Sequence, residues 1–172
     1  VGAEVFGVNE PTVDAEMIAM LAAMLVELGL PASAVQVTIN SLGEPEERLA
    51  YRDALVTYFS ANRDALDDES RRRLELNPLR ILDSKNPEVQ ALVAKAPVLL
   101  DSLGDASRAR FDKVREVLTA LGVTYEVDPR LVRGLDYYTA TIFELKTTAG
   151  DLGAQNTVCG GGRYDRLVES LG

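Results

Sequence analysis

Histidine and tryptophan are both absent from this chain of 172 residues, and there is a single cysteine, Cys159. Without histidine, no His-dependent triad can be assembled from these residues, and with one cysteine zinc ligation is excluded as well. One cysteine also rules out an internal disulfide and suits a reducing compartment. No apolar run approaches the ~20 residues needed to cross a bilayer. No signal peptide heads the sequence, so a cytoplasmic location with no membrane partner is the expectation. The formal net charge of -9 argues against broad attraction to nucleic acid, which depends on neutralising phosphates, but leaves room for a local basic face. The chain opens on Val1 inside a strand-like stretch, without an initiating Met, and stops at Gly172 after an apparent helix. Both ends are therefore expected to be cuts in a longer protein. What is present is ordinary globular composition, 47% hydrophobic and 26% charged, enough for one domain with an insert.

Periodicity sets out the elements. Residues from Thr12 to Gly29 read as a helix, with Thr12 as its cap and Gly29 with Pro31 as its stop. Met17, Leu21, Met24 and Leu28 form its expected core-facing stripe. Val35, Val37 and Ile39 alternate with Gln36, Thr38 and Asn40, the pattern of a half-buried strand. After the turn Ser41-Leu42-Gly43, Pro45 starts a helix that turns Leu55, Val56, Tyr58 and Phe59 towards a core. From about Asn62 to Gly122 short helical segments follow one another without a convincing strand. The longest runs from Asp105 to Leu121, with Phe111, Val114, Leu118 and Leu121 in period and Gly122 as C-terminal cap. Charge in this block is segregated: Asp64, Asp67, Asp68 and Glu69 precede Arg71, Arg72, Arg73 and Arg80. Arg108, Arg110, Lys113 and Arg115 form a second basic set. Either set can be charges arranged along a helix or a nucleic-acid contact. Val123 to Val127 then reads as a strand, and Asp128-Pro129 as a turn.

The stretch that follows carries the chemistry. Arg133-Gly134-Leu135-Asp136-Tyr137-Tyr138-Thr139 precedes a strand-like run, Thr141 to Lys146. A loop with two glycines, Thr147 to Gly153, leads to Gly160-Gly161-Gly162-Arg163-Tyr164-Asp165 and a helix from Arg163 to Leu171. Tyr137 and Tyr138 are adjacent in extended chain, so their side chains are expected on opposite faces of a sheet. In both clusters glycine leaves the backbone bare beside a cation and an aromatic ring. Two such clusters joined by ~20 residues of β-type chain form two walls of one small-molecule site. Alone, the early β-α-β-α order suggests a parallel α/β sheet.

Arg-Gly-Leu-Asp-Tyr-Tyr-Thr followed by Gly-Gly-Gly-Arg-Tyr-Asp resembles the two histidine-specific motifs of histidyl-tRNA synthetases. The resemblance extends through Glu4-Val5-Phe6-Gly7, Asp14-Ala15-Glu16, Asn40-Ser41-Leu42-Gly43, Tyr51-Arg52-Asp53-Ala54-Leu55 and Asn77 to Lys85. It implies an α+β fold: part of a class II synthetase antiparallel sheet with flanking helices, interrupted by an all-helical insertion. This divides the chain into residues 1–61 and 123–172, both catalytic domain, and 62–122, the insertion, which in the family approaches the acceptor arm of tRNA. The activity implied is ATP-dependent ligation of histidine to tRNA(His) by way of histidyl-adenylate, in a homodimeric parent. Mg²⁺ accompanies ATP, and no residue here is assigned to it.

Each implied site residue has a chemical rationale. Arg133 matches the arginine that donates to carboxylate and α-phosphate together, and is the catalytic candidate. An ion pair with Asp136 is its structural alternative. Glu4 and Tyr138 can hold the two imidazole nitrogens, because a carboxylate accepts and a phenol donates or accepts. A solvent-facing strand-edge acid is the alternative for Glu4. Tyr137 matches a substrate position, although alternation turns it away from Tyr138. Tyr164 is the expected pocket wall, and Arg163 with Asp165 can be a structural pair that positions it. Relatives that keep such a fold while binding histidine or tRNA without catalysis form the competing class.

Overall fold

The computed structural model of the chain describes residues 1–132, 137–150 and 156–167. Among these, the order is α1 (Pro11–Glu27), β1 (Val35–Ser41), α2 (Pro45–Ala61), α3 (Asp68–Leu76), α4 (Pro87–Val93), α5 (Asp105–Ala120), β2 (Tyr125–Val127), β3 (Thr139–Thr147) and β4 (Thr157–Arg163). Short 3-10 turns join several of the helices. The strands form one sheet in the order β2-β1-β3-β4. β3 runs antiparallel to both β1 and β4, in keeping with the expected antiparallel sheet. β2 is the exception and lies parallel to β1, since the chain returns to it through all of α2 to α5.

Two separate apolar cores organise the helices. α1 and α5 lie on one face of the sheet, where Ile18, Phe111 and Leu118 pack against Ile39, Phe143 and Leu145. α2 faces away from this layer and buries Tyr51, Leu55 and Phe59 among residues contributed by the segments from Leu66 to Leu103. Val56 and Tyr58 are partly buried against the same cluster. Phe59 and Leu55 are fully buried there, which would place several kcal/mol of apolar transfer energy in that one helix at about 2 kcal/mol per side chain.

Three local expectations need correction. Thr12 does not cap α1. Glu10 occupies that position in extended backbone and Pro11 starts the helix, its fixed φ and missing N–H suiting the first turn. The buried face of α1 is Ala15, Ile18, Leu21 and Leu25; Met17 and Met24 of the expected stripe are partly buried against the same core, but Leu28 is 74% exposed. Leu28 lies beyond the last full turn, where Gly29 N–H to Val26 O at 2.9 Å and Leu30 N–H to Leu25 O at 3.1 Å close the helix. Leu121 at the end of α5 is exposed for the same reason. The strand β1 is not half-buried, because every residue from Val37 to Ser41 is buried. Thr38 and Asn40 on its second face are buried as well, and the Asn40 amide donates to Leu131 O, in the segment after β2, at 2.9 Å.

Glu47 ties the entrance of the helical block to its exit. Its carboxylate accepts from Glu44 N–H at 2.7 Å, completing a capping box on α2. It also accepts from Gly104 N–H at 2.6 Å and the Ser107 hydroxyl at 2.7 Å, both at the start of α5. Burial works to raise its pKa, but the three donors outweigh that and hold the carboxyl below the usual range.

Several charges of the block's two sets engage partners within the chain. Arg71 pairs with Asp68 at 3.5 Å, Arg73 with Glu69, and Arg63 with Glu75 at 2.9 Å. Asp67 caps α3 by accepting from Ser70 N–H at 2.7 Å. In the second set Lys113 pairs with Glu116 and Arg115 with Asp112, while Arg110 donates to Asn9 O at 2.6 Å. Exposed pairs of this kind contribute roughly 0–1 kcal/mol each.

Candidate functional site

A cleft of 760 Å³ opens between α1, the end of β4 and the N-terminal segment 1–9. Glu4, Tyr137, Tyr138 and Tyr164 all line it. Arg133, with the rest of 133–136, lies outside the described residues, so its relation to the cleft is not part of the structure. The two motif clusters meet because β3 and β4 are antiparallel neighbours that bring Thr139 opposite Arg163. Tyr138 and Tyr164 are each one residue beyond that pair, at the same end of the sheet.

The two adjacent tyrosines do not face opposite ways. Their ring centroids are 4.6 Å apart at 45°, and Tyr137 meets Tyr164 edge-on at 6.1 Å and 81°. Alternation fails because the regular strand begins only at Thr139 and is at once broken. The pairing with β4 slips between Thr139 and Ile142, and Ala140 adopts a φ of 45°. That bulge folds the backbone back on the β1 turn, where Leu42 N–H donates to Ala140 O at 2.6 Å. Re-aiming a side chain beside a site is a common use of such an irregularity. A left-handed alanine costs roughly 1–2 kcal/mol, which the surrounding contacts must offset.

The glycine run is strand, not loop. Gly160 to Gly162 belong to β4. The space a side chain would fill at Gly161 and Gly162 is taken by the chain itself. A Cβ at Gly161 would stand 2.8 Å from the Phe143 ring; one at Gly162 would stand 2.7 Å from Thr141 O and 3.0 Å from the Tyr138 ring. These glycines therefore let the two tyrosine-bearing strands close on each other. The helix expected from Arg163 does not start there. Arg163 ends β4, a turn follows, and helical geometry is reached at Leu167, with 168–172 outside the described residues.

Arg163 is a clasp. Its Nε donates to Asp14 Oδ1 at 3.0 Å, Nη2 stands 2.8 Å from the same oxygen, and Nη1 donates to Asp165 Oδ1 at 2.9 Å. Nη2 also donates to Glu10 O at 3.2 Å and Nη1 to Val8 O at 3.4 Å. The Arg163 and Asp14 side chains are only 6% and 10% exposed. The pair with Asp165 was legible in the sequence; the stronger one with Asp14, 149 residues away, was not. Asp14 stood in a motif, but its adjacency to the helix start gave it a sufficient local explanation. The clasp joins the first turn of α1 and the carbonyls just after the Glu4 segment to the strand end that carries Tyr164.

Tyr164 is where the electrostatics concentrate. Its hydroxyl is buried beside the Glu4 carboxylate, with which it lacks a well-formed hydrogen bond. Loss of hydration, the adjacent Glu4 carboxylate and the neighbouring tyrosines push the phenol up to about 12. It is thus a fixed neutral donor at physiological pH, beside a carboxylate that can only accept. A buried hydroxyl without a well-formed hydrogen bond costs up to about 1–3 kcal/mol, part of which a ligand that accepts from it regains. Among the described residues no group of three or more His, Cys, Asp or Glu is placed to hold a metal ion. No helix among them is long and apolar enough to cross a membrane.

The mixed sheet with two helices on one face and a separate helical block is that of a class II synthetase catalytic domain, seen in part. In the solved apo S. aureus histidyl-tRNA synthetase it is matched with a TM-score of 0.71 at 36% identity, over 96% of this chain and 39% of that one. The histidyl-tRNA synthetase family model matches residues 1–172, and the chain belongs to that family. It is 59% identical over all 172 residues to the histidine–tRNA ligase of Halorhodospira halophila (strain DSM 244 / SL1) and 55% identical to that of Dechloromonas aromatica (strain RCB). It spans 40% and 39% of those relatives' lengths.

Proposed function

We propose that the complete protein containing this chain is a histidine–tRNA ligase, and that the cleft selects the amino acid. The reading is carried by the Glu4 carboxylate standing beside the buried Tyr164 hydroxyl in the cleft. Neutral imidazole offers one N–H and one lone-pair nitrogen, so its recognition needs one acceptor and one donor. Glu4 accepts from the ring N–H. A phenol donates to the other nitrogen; Tyr138 and Tyr164 both line the cleft, and the position of the Tyr164 hydroxyl, buried beside Glu4, favours a larger part for it than that of a wall. Tyr137, edge-on to Tyr164, supports its ring. A site built on such bonds rejects an analogue lacking them by up to ~10⁴-fold.

In the reaction the histidine carboxylate oxygen attacks the α-phosphorus of ATP. The new P–O bond forms as the bond to the bridging oxygen breaks and pyrophosphate leaves. A terminal ribose hydroxyl of tRNA(His) then attacks the carbonyl carbon, and AMP departs. Arg133 is assigned to the negative charge developing on carboxylate and phosphoryl oxygens. Removal of such a fixed charge costs on the order of 3 kcal/mol, or ~100-fold in rate. Mg²⁺ enters with ATP as part of the substrate. The helical block is the side offered to the acceptor arm of tRNA, the complete protein works as a homodimer, and its location is cytoplasmic.

Histidine-dependent exchange of pyrophosphate into ATP by the complete protein tests this reading. Glu4→Gln and Tyr164→Phe are expected to raise KM for histidine far more than KM for ATP. Histidine binding without any exchange would sink the ligase reading and leave a sensor. The 172-residue piece alone is expected to be inactive.

A further inference from the structure

The segment that leads into Arg133 is held from two sides, and one residue supplies the link to the helical block. On the sheet side, Asp128 N–H donates to Ile39 O at 3.0 Å, Leu131 N–H to Asp128 O at 3.0 Å, and the Asn40 amide to Leu131 O at 2.9 Å. On the other side, the Arg130 guanidinium reaches the turn after α4. Its Nη1 donates to Pro97 O at 2.9 Å and its Nη2 to Ala96 O at 2.6 Å. The Tyr51 hydroxyl of α2 donates to the same Pro97 carbonyl at 3.1 Å. Arg130 N–H is fixed in turn by Asp128 Oδ1 at 2.8 Å, and Val132 packs against the core of the block.

The geometry points to Arg130 as a positioning residue for the activation step, through which the turn at Ala96–Pro97 holds the stretch that continues into Arg133. This rests on the ligase reading and extends it. A guanidinium is suited to the task because two of its nitrogens, in a rigid fork, meet two successive carbonyls at once. A lysine ammonium in the same place has no such fork and would hold one carbonyl well. Charge at Arg130 is not what the reaction needs; orientation is. Loss of orientation falls on the chemical step, because the Glu4 and Tyr164 groups assigned to the imidazole lie on other elements.

The complete protein is compared with R130A and R130K by pyrophosphate exchange, with amide hydrogen exchange at Leu131 as a second readout. In R130A kcat should fall about 10- to 100-fold, the scale of a misplaced catalytic group, with KM for histidine and ATP within about 2-fold. R130K should recover part of kcat. Exchange at the Leu131 amide should accelerate about 10-fold in R130A relative to the amides of α1, which report global opening. Wild-type kcat in R130A, or a raised KM with unchanged kcat, would overturn the assignment. So would a loss of activity that only tracks the loss of folded protein. If R130A does not accumulate, R130K carries the test: lowered kcat at unchanged KM is expected, and wild-type kcat refutes it. An inactive wild type would remove the ligase reading instead, and the Leu131 amide would still decide whether Arg130 holds this segment.

Discussion

The helical block and the cleft are held together by different means. The block rests on an apolar core, with Phe59, Leu55, Ile81 and Val89 fully buried, and its charges pair on the surface with near neighbours. The cleft is kept in shape by a nearly buried ion pair, a left-handed alanine, glycines closed on by aromatic rings and the edge-on contact of Tyr137 with Tyr164. Apolar packing is tolerant of exchange and non-directional. Polar and strained features cost stability unless each partner is in place, but they fix direction. Stability is therefore concentrated away from the cleft proposed to hold the amino acid, and precision within it.

The comparison can be broken from either side. Phe59→Ala should cost the most, about 3–5 kcal/mol, by leaving a cavity in the block. Thermal unfolding of the complete protein would read it, and the fraction that remains folded should keep its KM for histidine. Asp14→Ala should cost about 2 kcal/mol, because the Arg163 guanidinium loses its buried carboxylate and keeps only Asp165 and two carbonyls. Unlike the first variant, it should also raise KM for histidine, since Tyr164 loses its anchor. Equal KM values for these two variants would erase the distinction drawn between the regions.

Glu47→Ala should cost about 1–2 kcal/mol by removing a capping box and the link to α5. Glu47 also has a pH signature. Its carboxyl is held below the usual range in the folded chain, so its contribution is present above the ordinary carboxylate pKa and lost as pH falls through the lowered folded value. Acid unfolding of Glu47→Gln should accordingly show a shallower dependence on pH in that window. The smallest effect expected is that of Ala140→Gly. Relief of a φ of 45° is offset in part by the greater freedom of unfolded glycine, so a net stabilisation under about 1 kcal/mol is expected. A clear destabilisation by calorimetry would show that the bulge carries little strain.

The elements governed by local chemistry were readable from the sequence. Pro45 starts α2, Gly122 follows the end of α5, and Leu55 and Phe59 are buried on α2 as expected, with Val56 and Tyr58 partly buried against the same core. The convergence of the two motif clusters was readable too, because a hairpin of β-type chain returns near its start. The errors fall where distant parts decide. Periodicity could not foresee that the second face of β1 would be buried as well, so Thr38 and Asn40 read as solvent-facing. Alternation placed Tyr137 and Tyr138 apart because it assumed an unbroken strand, and a register slip has no marker in Thr139-Ala140-Thr141. The glycines read as open backbone for a ligand, whereas Phe143 and Tyr138 occupy the room they leave. The Arg163–Asp14 clasp links residues 149 apart, and no local pattern announces such a pair.

The Glu47 neck bears on the order in which this chain folds. β1 and β2 pair parallel although residues 42–124 intervene, a contact of high sequence separation. Closing a flexible loop carries an entropic cost that rises with its length. The helical block has its own core and mostly local contacts, so it can condense before the sheet does. Once the Glu47 carboxylate joins Gly104 and Ser107 to the first turn of α2, the two ends of that long segment are already neighbours. The search left for β2 is then no longer than the rigid α5 and the few residues after it, so a non-local topology acquires the kinetics of a local one.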